Sequence, residues 1–139
     1  MRLDFLILAD KAEAIGGKLY LMGGAFDRMG MTTIPGLAQF DVAAGLLVGY
    51  SETNVQHAFE LRCEDADSTL VFPAAQGAIE VGRPPGMAGG GEQRALVVFA
   101  GPFTFGAPGD YAWVLVLNGE RQPPTRFRIE RQAMLVVRR

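Results

Sequence analysis

The chain has 139 residues, of which 49% are apolar and 20% charged, with 18 glycines, eight prolines, one cysteine and a net charge of −2. This size fits one domain built on one core, residues 1–139. The charge argues against a general nucleic-acid binder, the single Cys63 rules out an internal disulfide or a cysteine-rich zinc site, and no apolar run reaches the length of a membrane span.

The charge is uneven. Residues 121–139 carry Arg121, Arg126, Arg128, Arg131, Arg138 and Arg139 against the single acid Glu130, a surplus of +5 that leaves −7 on the remainder. At the other end, the apolar run Phe5–Ala9 is flanked by Asp4 and Asp10 and is too short for a signal peptide. A cytoplasmic protein is expected.

Leu3 to Ala9 reads as a strand covered on both faces. Asp10–Ile15 has helical propensity but is too short to hold alone, so a turn is expected there, reversed by Gly16-Gly17. Lys18–Met22 is the second strand, with Gly23-Gly24 marking a bulge or close approach and Phe26 continuing it. Asp27–Ile34 reads as a connection closed by Pro35-Gly36. Gln39–Tyr50 fits helix or strand by period, and Gly45, Gly49 and its Val, Phe and Tyr content favour strand.

Val55 to Cys63 has the clearest period of two. Val55, His57, Phe59, Leu61 and Cys63 share one face, while Gln56, Ala58, Glu60 and Arg62 share the wet one. Glu64–Ser68 is its hairpin turn, Thr69–Phe72 begins the return, and Ile79 and Val81 suggest another short strand. Arg83–Gln93, with two prolines and four glycines, reads as a mobile hairpin loop. Ala95–Ala100 and Phe103–Phe105 are strands separated by Gly101-Pro102.

Tyr111, Trp113, Leu115 and Leu117 lie on one side of the next strand and Ala112, Val114 and Val116 on the other, so an apolar strand central to its sheet is expected. Asn118-Gly119 is a strong two-residue hairpin signal. A strict turn pairs Ala112 with Thr125 and sets Phe127 on the Ala112 side. A bulge at Gln122-Pro123-Pro124, where the prolines cannot donate to a ladder, moves Phe127 to the Trp113 side. Sequence leaves both registers open. Ala133–Val137 is a candidate final edge strand. The sum is eight or nine short strands, no long helix and no internal repeat: an all-β, antiparallel Greek-key sandwich of immunoglobulin-like or C2-like type.

The blocks Leu8-Ala9-Asp10, Gly17-Lys18-Leu19, Gly23-Gly24 and Phe26-Asp27-Arg28, followed by Pro35, Gly109, Tyr111 and Asn118-Gly119, resemble the pattern of a bacterial family of unknown function. Phe26 stands where that pattern commonly has Trp, and the 83–93 loop is outside it. The resemblance implies a single β-rich domain and carries over no catalytic residue.

No catalytic set emerges. His57 and Cys63 share a face but lie six residues apart on one strand, about 20 Å, too far for a nucleophilic dyad. Glu64, Asp65 and Asp67, joined by Asp27 or Asp41, fit solvated turn acids better than a calcium loop. Gly89-Gly90-Gly91 lacks the ending and the helix of a phosphate loop. The expectation is therefore a non-enzymatic interaction or structural module without cofactor or metal, pairing with itself or with another protein. Asp10, Lys18, Asp27, Arg28, Arg126 and Arg128 are its candidate interaction residues. The alternatives are a small-ligand-binding sandwich, with a pocket between the sheets or under the 83–93 loop, and a metal-dependent hydrolase. Tyr111 after Gly109 suggests a tyrosine corner.

Overall fold

A computed structural model describes residues 1–133. In chain order the strands are β1 (Arg2–Ile15), β2 (Lys18–Gly24), β3 (Arg28–Met31), β4 (Gly36–Ala38), β5 (Asp41–Gly49), β6 (Gln56–Asp65), β7 (Ala75–Glu80), β8 (Glu92–Phe99), β9 (Phe103–Phe105), β10 (Gly109–Leu117), β11 (Glu120–Arg121) and β12 (Thr125–Arg131). One sheet, A, has the order β2-β1-β5-β8. The other, B, has the order β3-β12-β10-β6-β7, with β11 pairing β10, and β4 and β9 form a small ladder of their own. The architecture is an all-β sandwich.

Twelve strands stand among the described residues where eight or nine were expected, because β3, β4 and β11 are two to four residues long and give no periodic signal. Asp10–Ile15 is not a turn: β1 runs on through it, paired with β2 from Ala9↔Gly24 to Ile15↔Lys18. An isolated six-residue helix is unstable, and the cross-strand ladder wins. Phe26 does not extend β2, which ends at Gly24 before a turn at Ala25 with positive φ. The supposed connection 27–34 contains β3, which lies parallel to β12 from Arg28↔Arg128 to Met31↔Arg131. Thr69–Phe72 supplies only a bridge, Glu64↔Leu70, and the true return strand is β7. The 83–93 segment is not a hairpin loop, since β7 belongs to sheet B and β8 to sheet A, so it crosses between the sheets. Its root is fixed: Arg83 stacks 3.7 Å from the Tyr50 ring centroid and donates to Thr53 Oγ1 at 2.8 Å. The candidate strand 133–137 lies, beyond Ala133, outside the described residues.

Alternation decides what enters the core. From β1 and β5 come Leu6, Leu8, Val42, Ala44, Leu46 and Val48; from β6 and β10 come Leu61, Cys63, Trp113, Leu115 and Leu117. As the period predicted, β10 is central and flanked by β12 and β6. Phe40, buried between β4 and β5, has its ring centroid 5.0–6.2 Å from those of Phe26, Phe103, Phe105, Trp113 and Phe127. The Trp113 indole N–H has no hydrogen-bond partner among the described residues and lies within this cluster of rings, with Phe103 T-shaped at 4.8 Å.

The bulge is the register that forms. Leu117 pairs with Glu120 and Val116 with Arg121, but Trp113 then pairs with Thr125 and Tyr111 with Phe127, one residue out of step. Gln122 N–H donates to Leu115 O at 2.9 Å, while its Oε1 accepts from Leu3 N–H at 3.0 Å, tying the bulge to sheet A. The slip buries Phe127 and Ile129 beside Trp113 and leaves Arg126 and Arg128 on the opposite face. The Tyr111 hydroxyl donates to Ala107 O, completing the tyrosine corner. Phe127→Ala should therefore cost about 3–5 kcal/mol in urea unfolding, the range for emptying a core aromatic site. A loss below about 1 kcal/mol would mean that Phe127 lies outside the core.

Candidate functional site

The outward face of sheet B is built by register. Arg126 on β12 stands level with Ala112 on β10, and Ala112 with Glu64 on β6. A methyl group between two long side chains makes a depression. One step toward β3, Arg128 is level with Asp110 and Arg28 with Arg128. One step the other way, Val114 is level with Arg62 on β6. Val114 is only 1% exposed although none of the described strands covers this face, because the aliphatic stems of the charged residues around it shield it.

The result is a cleft of about 530 Å³ floored by Ala112 and Val114 and rimmed by Asp27, Arg28, Arg121, Arg126, Arg128 and Glu64, with the turn residues Asp65 to Ser68 at one end. A second cleft, about 420 Å³, lies beside Met31, Gly36 and Leu37. Neither lies between the sheets or under the 83–93 segment, the two places that the ligand-binding alternative gave for a pocket.

Most of the charge in the larger cleft is paired. Glu64, buried, accepts from Arg121 at 2.8 and 2.9 Å and from Arg62 Nε at 2.8 Å. Arg62 also reaches Glu60 at 2.8 Å. Arg128 holds Asp110 at 2.8 Å, and Glu130 lies 3.3 Å from Arg28 and 3.5 Å from Arg128. The Arg121 fork, and behind it Arg62, outweighs the burial of Glu64 and holds its carboxyl at about 2. The same bonds raise both guanidinium groups. Arg126 has no ion-pair partner among the described residues.

Of the six expected interaction residues, Asp27, Arg28, Arg126 and Arg128 meet in this cleft. Asp10 and Lys18 do not: Asp10 packs over Gly23, and Lys18 pairs with Ile15 at the far end of the β1–β2 hairpin. Glu64 and Arg121 were not singled out as a pair. Glu64 continues the wet alternation of Glu60 and Arg62, but its acidic neighbours suggested a turn, and β6 in fact extends to Asp65.

The remaining reactive groups have structural partners. His57 Nε2–H donates to Glu52 O at 2.8 Å and Nδ1 accepts from Asn118 at 2.9 Å. Cys63 is fully buried, and desolvation, reinforced by Glu64 and Asp65, pushes its thiol far up. Asp41, also buried, accepts from Ala12 N–H at 2.9 Å and Gly101 N–H at 3.0 Å. Asp65 Oδ1 accepts from the backbone of Asp67 and Thr69 at 2.9 and 3.0 Å, a turn-fixing role. Among the described residues, no three His, Cys, Asp or Glu side chains gather as metal ligands, and no helix is long and apolar enough to cross a membrane.

The model of a family of unknown function, DUF6941, matches residues 4–130. The chain belongs to the DUF6941 family. No curated protein and no solved structure matches it significantly. The DUF6941 match takes in part or all of every strand from β1 to β12, and with them both sheets and every residue that rims the larger cleft.

Glu64→Gln removes an ionised partner from two guanidinium groups and should destabilise the fold by about 2 kcal/mol, discounted because Arg121 is half exposed. Because the folded carboxyl lies below its unfolded value of 4.5, its stabilisation is full above about pH 4.5 and is lost as pH falls toward 2. Urea midpoints measured across that window should fall more steeply for the native chain than for Glu64→Gln.

Proposed function

We propose that this DUF6941 chain is a non-catalytic interaction module that associates with a second copy of itself through sheet A. The observation that carries this reading is the outward face of that sheet. Phe5, Ile7, Leu47, Leu96 and Val98 lie on it, with Ala43 and Gly45 between them in register. The Phe5 ring lies across Gly45, which has no side chain to displace it. Among the described residues Phe5, Ile7, Leu47, Leu96 and Val98 are half-buried, and Ile7 and Val98 pack with Leu19 of β2 against the buried Ala9, Ala12 and Ala43.

The face continues onto an open edge. Beyond β2 sheet A has no further strand among the described residues, and Ile15, Tyr20, Leu21 and Met22 are 57%, 55%, 37% and 71% exposed. Lys18 is the only charge in β2, so the usual guard against edge pairing is thin. Apolar surface arranged this way marks an association site.

Two points favour a second copy as the partner. The charges at the rim are already paired within the chain, Arg2 with Glu92 and Arg94 with Asp4, so the face has no charge surplus with which to select an oppositely charged protein. Three strands, β1, β5 and β8, spaced about 4.8 Å apart along the nine residues of β5 present on the order of 430 Å². With the hairpin added, that approaches the roughly 800 Å² per partner of a standard interface.

Sedimentation velocity of the full chain should show a concentration-dependent dimer. Leu96→Glu on the face and Met22→Glu on the edge should each shift it to monomer, with unfolding free energies within about 1 kcal/mol of the native chain. A native chain that stays monomeric at the highest soluble concentration removes the proposal.

A further inference from the structure

We infer that the cleft over Ala112 on the outward face of sheet B is a binding site for a small ligand bearing one compact oxyanion, a carboxylate or a phosphate monoester, gripped by Arg126. This site lies on the sheet opposite the association face and does not depend on it.

The cleft volume of about 530 Å³ is that of a small-molecule site. It exists because Ala112 occupies the register position between Arg126 and Glu64, so the ladder itself holds a gap open under a guanidinium. The strand positions flanking the gap are fixed by ladder hydrogen bonds on both sides of β10, which makes the depression rigid.

The pairing of charges singles out one guanidinium group. Arg121 is held by Glu64, Arg128 by Asp110, and Arg28 by Glu130. Each of these forks already has a carboxylate on it. Arg126 lines the same cleft with no such partner among the described residues. A guanidinium presents parallel N–H donors that match two oxygens of a carboxylate or phosphate, and Arg126 has that fork available.

The acids in the cleft define the size of the anion. Asp27, Glu64, Asp65 and Asp110 line it together with Arg28, Arg121, Arg126 and Arg128, so the lining is balanced overall. A polyanion such as nucleic acid would meet as many carboxylates as guanidinium groups. A ligand with one oxyanion at Arg126 and an uncharged body over Ala112 avoids the acids.

The test is calorimetric titration of the full chain with sodium phosphate and, separately, with sodium benzoate, at constant ionic strength. One-site saturation by at least one probe is expected, and the probe that binds identifies the oxyanion. Arg126→Ala should weaken binding by at least about tenfold, Arg126→Lys should fall between it and the native chain, and Arg131→Ala, outside the cleft, should leave it unchanged. Ala112→Leu, which fills the gap while keeping every charge, should also abolish binding. Should that variant fail to fold, the two Arg126 variants decide the matter. No saturation by either probe, equal loss in Arg131→Ala, or full binding by Arg126→Ala overturns the inference. So does binding of an acidic peptide in the absence of binding by either small probe.

Discussion

One inserted residue determines what both faces of sheet B present. Pro123 and Pro124 have no N–H to give to the β10 ladder, and the strand absorbs them by stepping one residue out of register. After that step every second residue of β12 points inward as Phe127 and Ile129, and the residues between them point outward as Arg126 and Arg128. Without it, the alternation would bring two guanidinium groups against Trp113 and set Phe127 in water. The aromatic cluster and the arginine-lined cleft are two consequences of the same irregularity. Gln122 and Thr125 hold it in place from the other sheet, through Leu3 N–H at 3.0 Å and Leu6 O at 2.6 Å.

The two sheets share a core but differ in their outer surfaces. Sheet B covers its outward valine and alanine with a network of paired charges, of which Glu64 is the most buried member. Sheet A leaves Phe5, Ile7, Leu47, Leu96 and Val98 half-buried on its outer face, with Leu19 of β2 packed against the same buried alanines as Ile7 and Val98. A sandwich normally keeps both outer faces polar. The departure on one side only separates an apolar outer face from a charged one in this molecule.

Much of this was legible from residue types alone. The period of two from Val55 to Cys63, the doubly apolar β10 and the Asn118-Gly119 turn specified a sheet with β10 at its centre, and that is its place. Four of six expected interaction residues meet because they sit on β12 and at β3, which pair. What stayed hidden has a common cause. β3 is four residues, Arg-Met-Gly-Met, with no strand signature, and it is a strand only because β12 offers it a ladder. Asp10–Ile15 likewise takes its conformation from β2 and not from its own propensity. Asp10, Lys18, Asp27 and Arg28 are the polar members of the N-terminal block that carries the family resemblance, and sheet pairing sets the first two in the opposite layer from Arg28. The proline register was framed correctly as a choice between two, and only the burial of Phe127 made it.

The β3–β12 pair is the one parallel ladder in the described residues, and it joins chain segments about a hundred positions apart. A parallel partner cannot be reached by a short turn, so β3 has nothing to pair with until the last strand is in place. During synthesis Arg28 to Met31 therefore emerges early and waits through the making of both sheets. The N-terminal β1–β2 hairpin, by contrast, pairs neighbouring segments of the chain and waits for no distant strand. The order of synthesis thus brings out the apolar edge of sheet A well before β12, without which the arginine-lined cleft of sheet B does not exist.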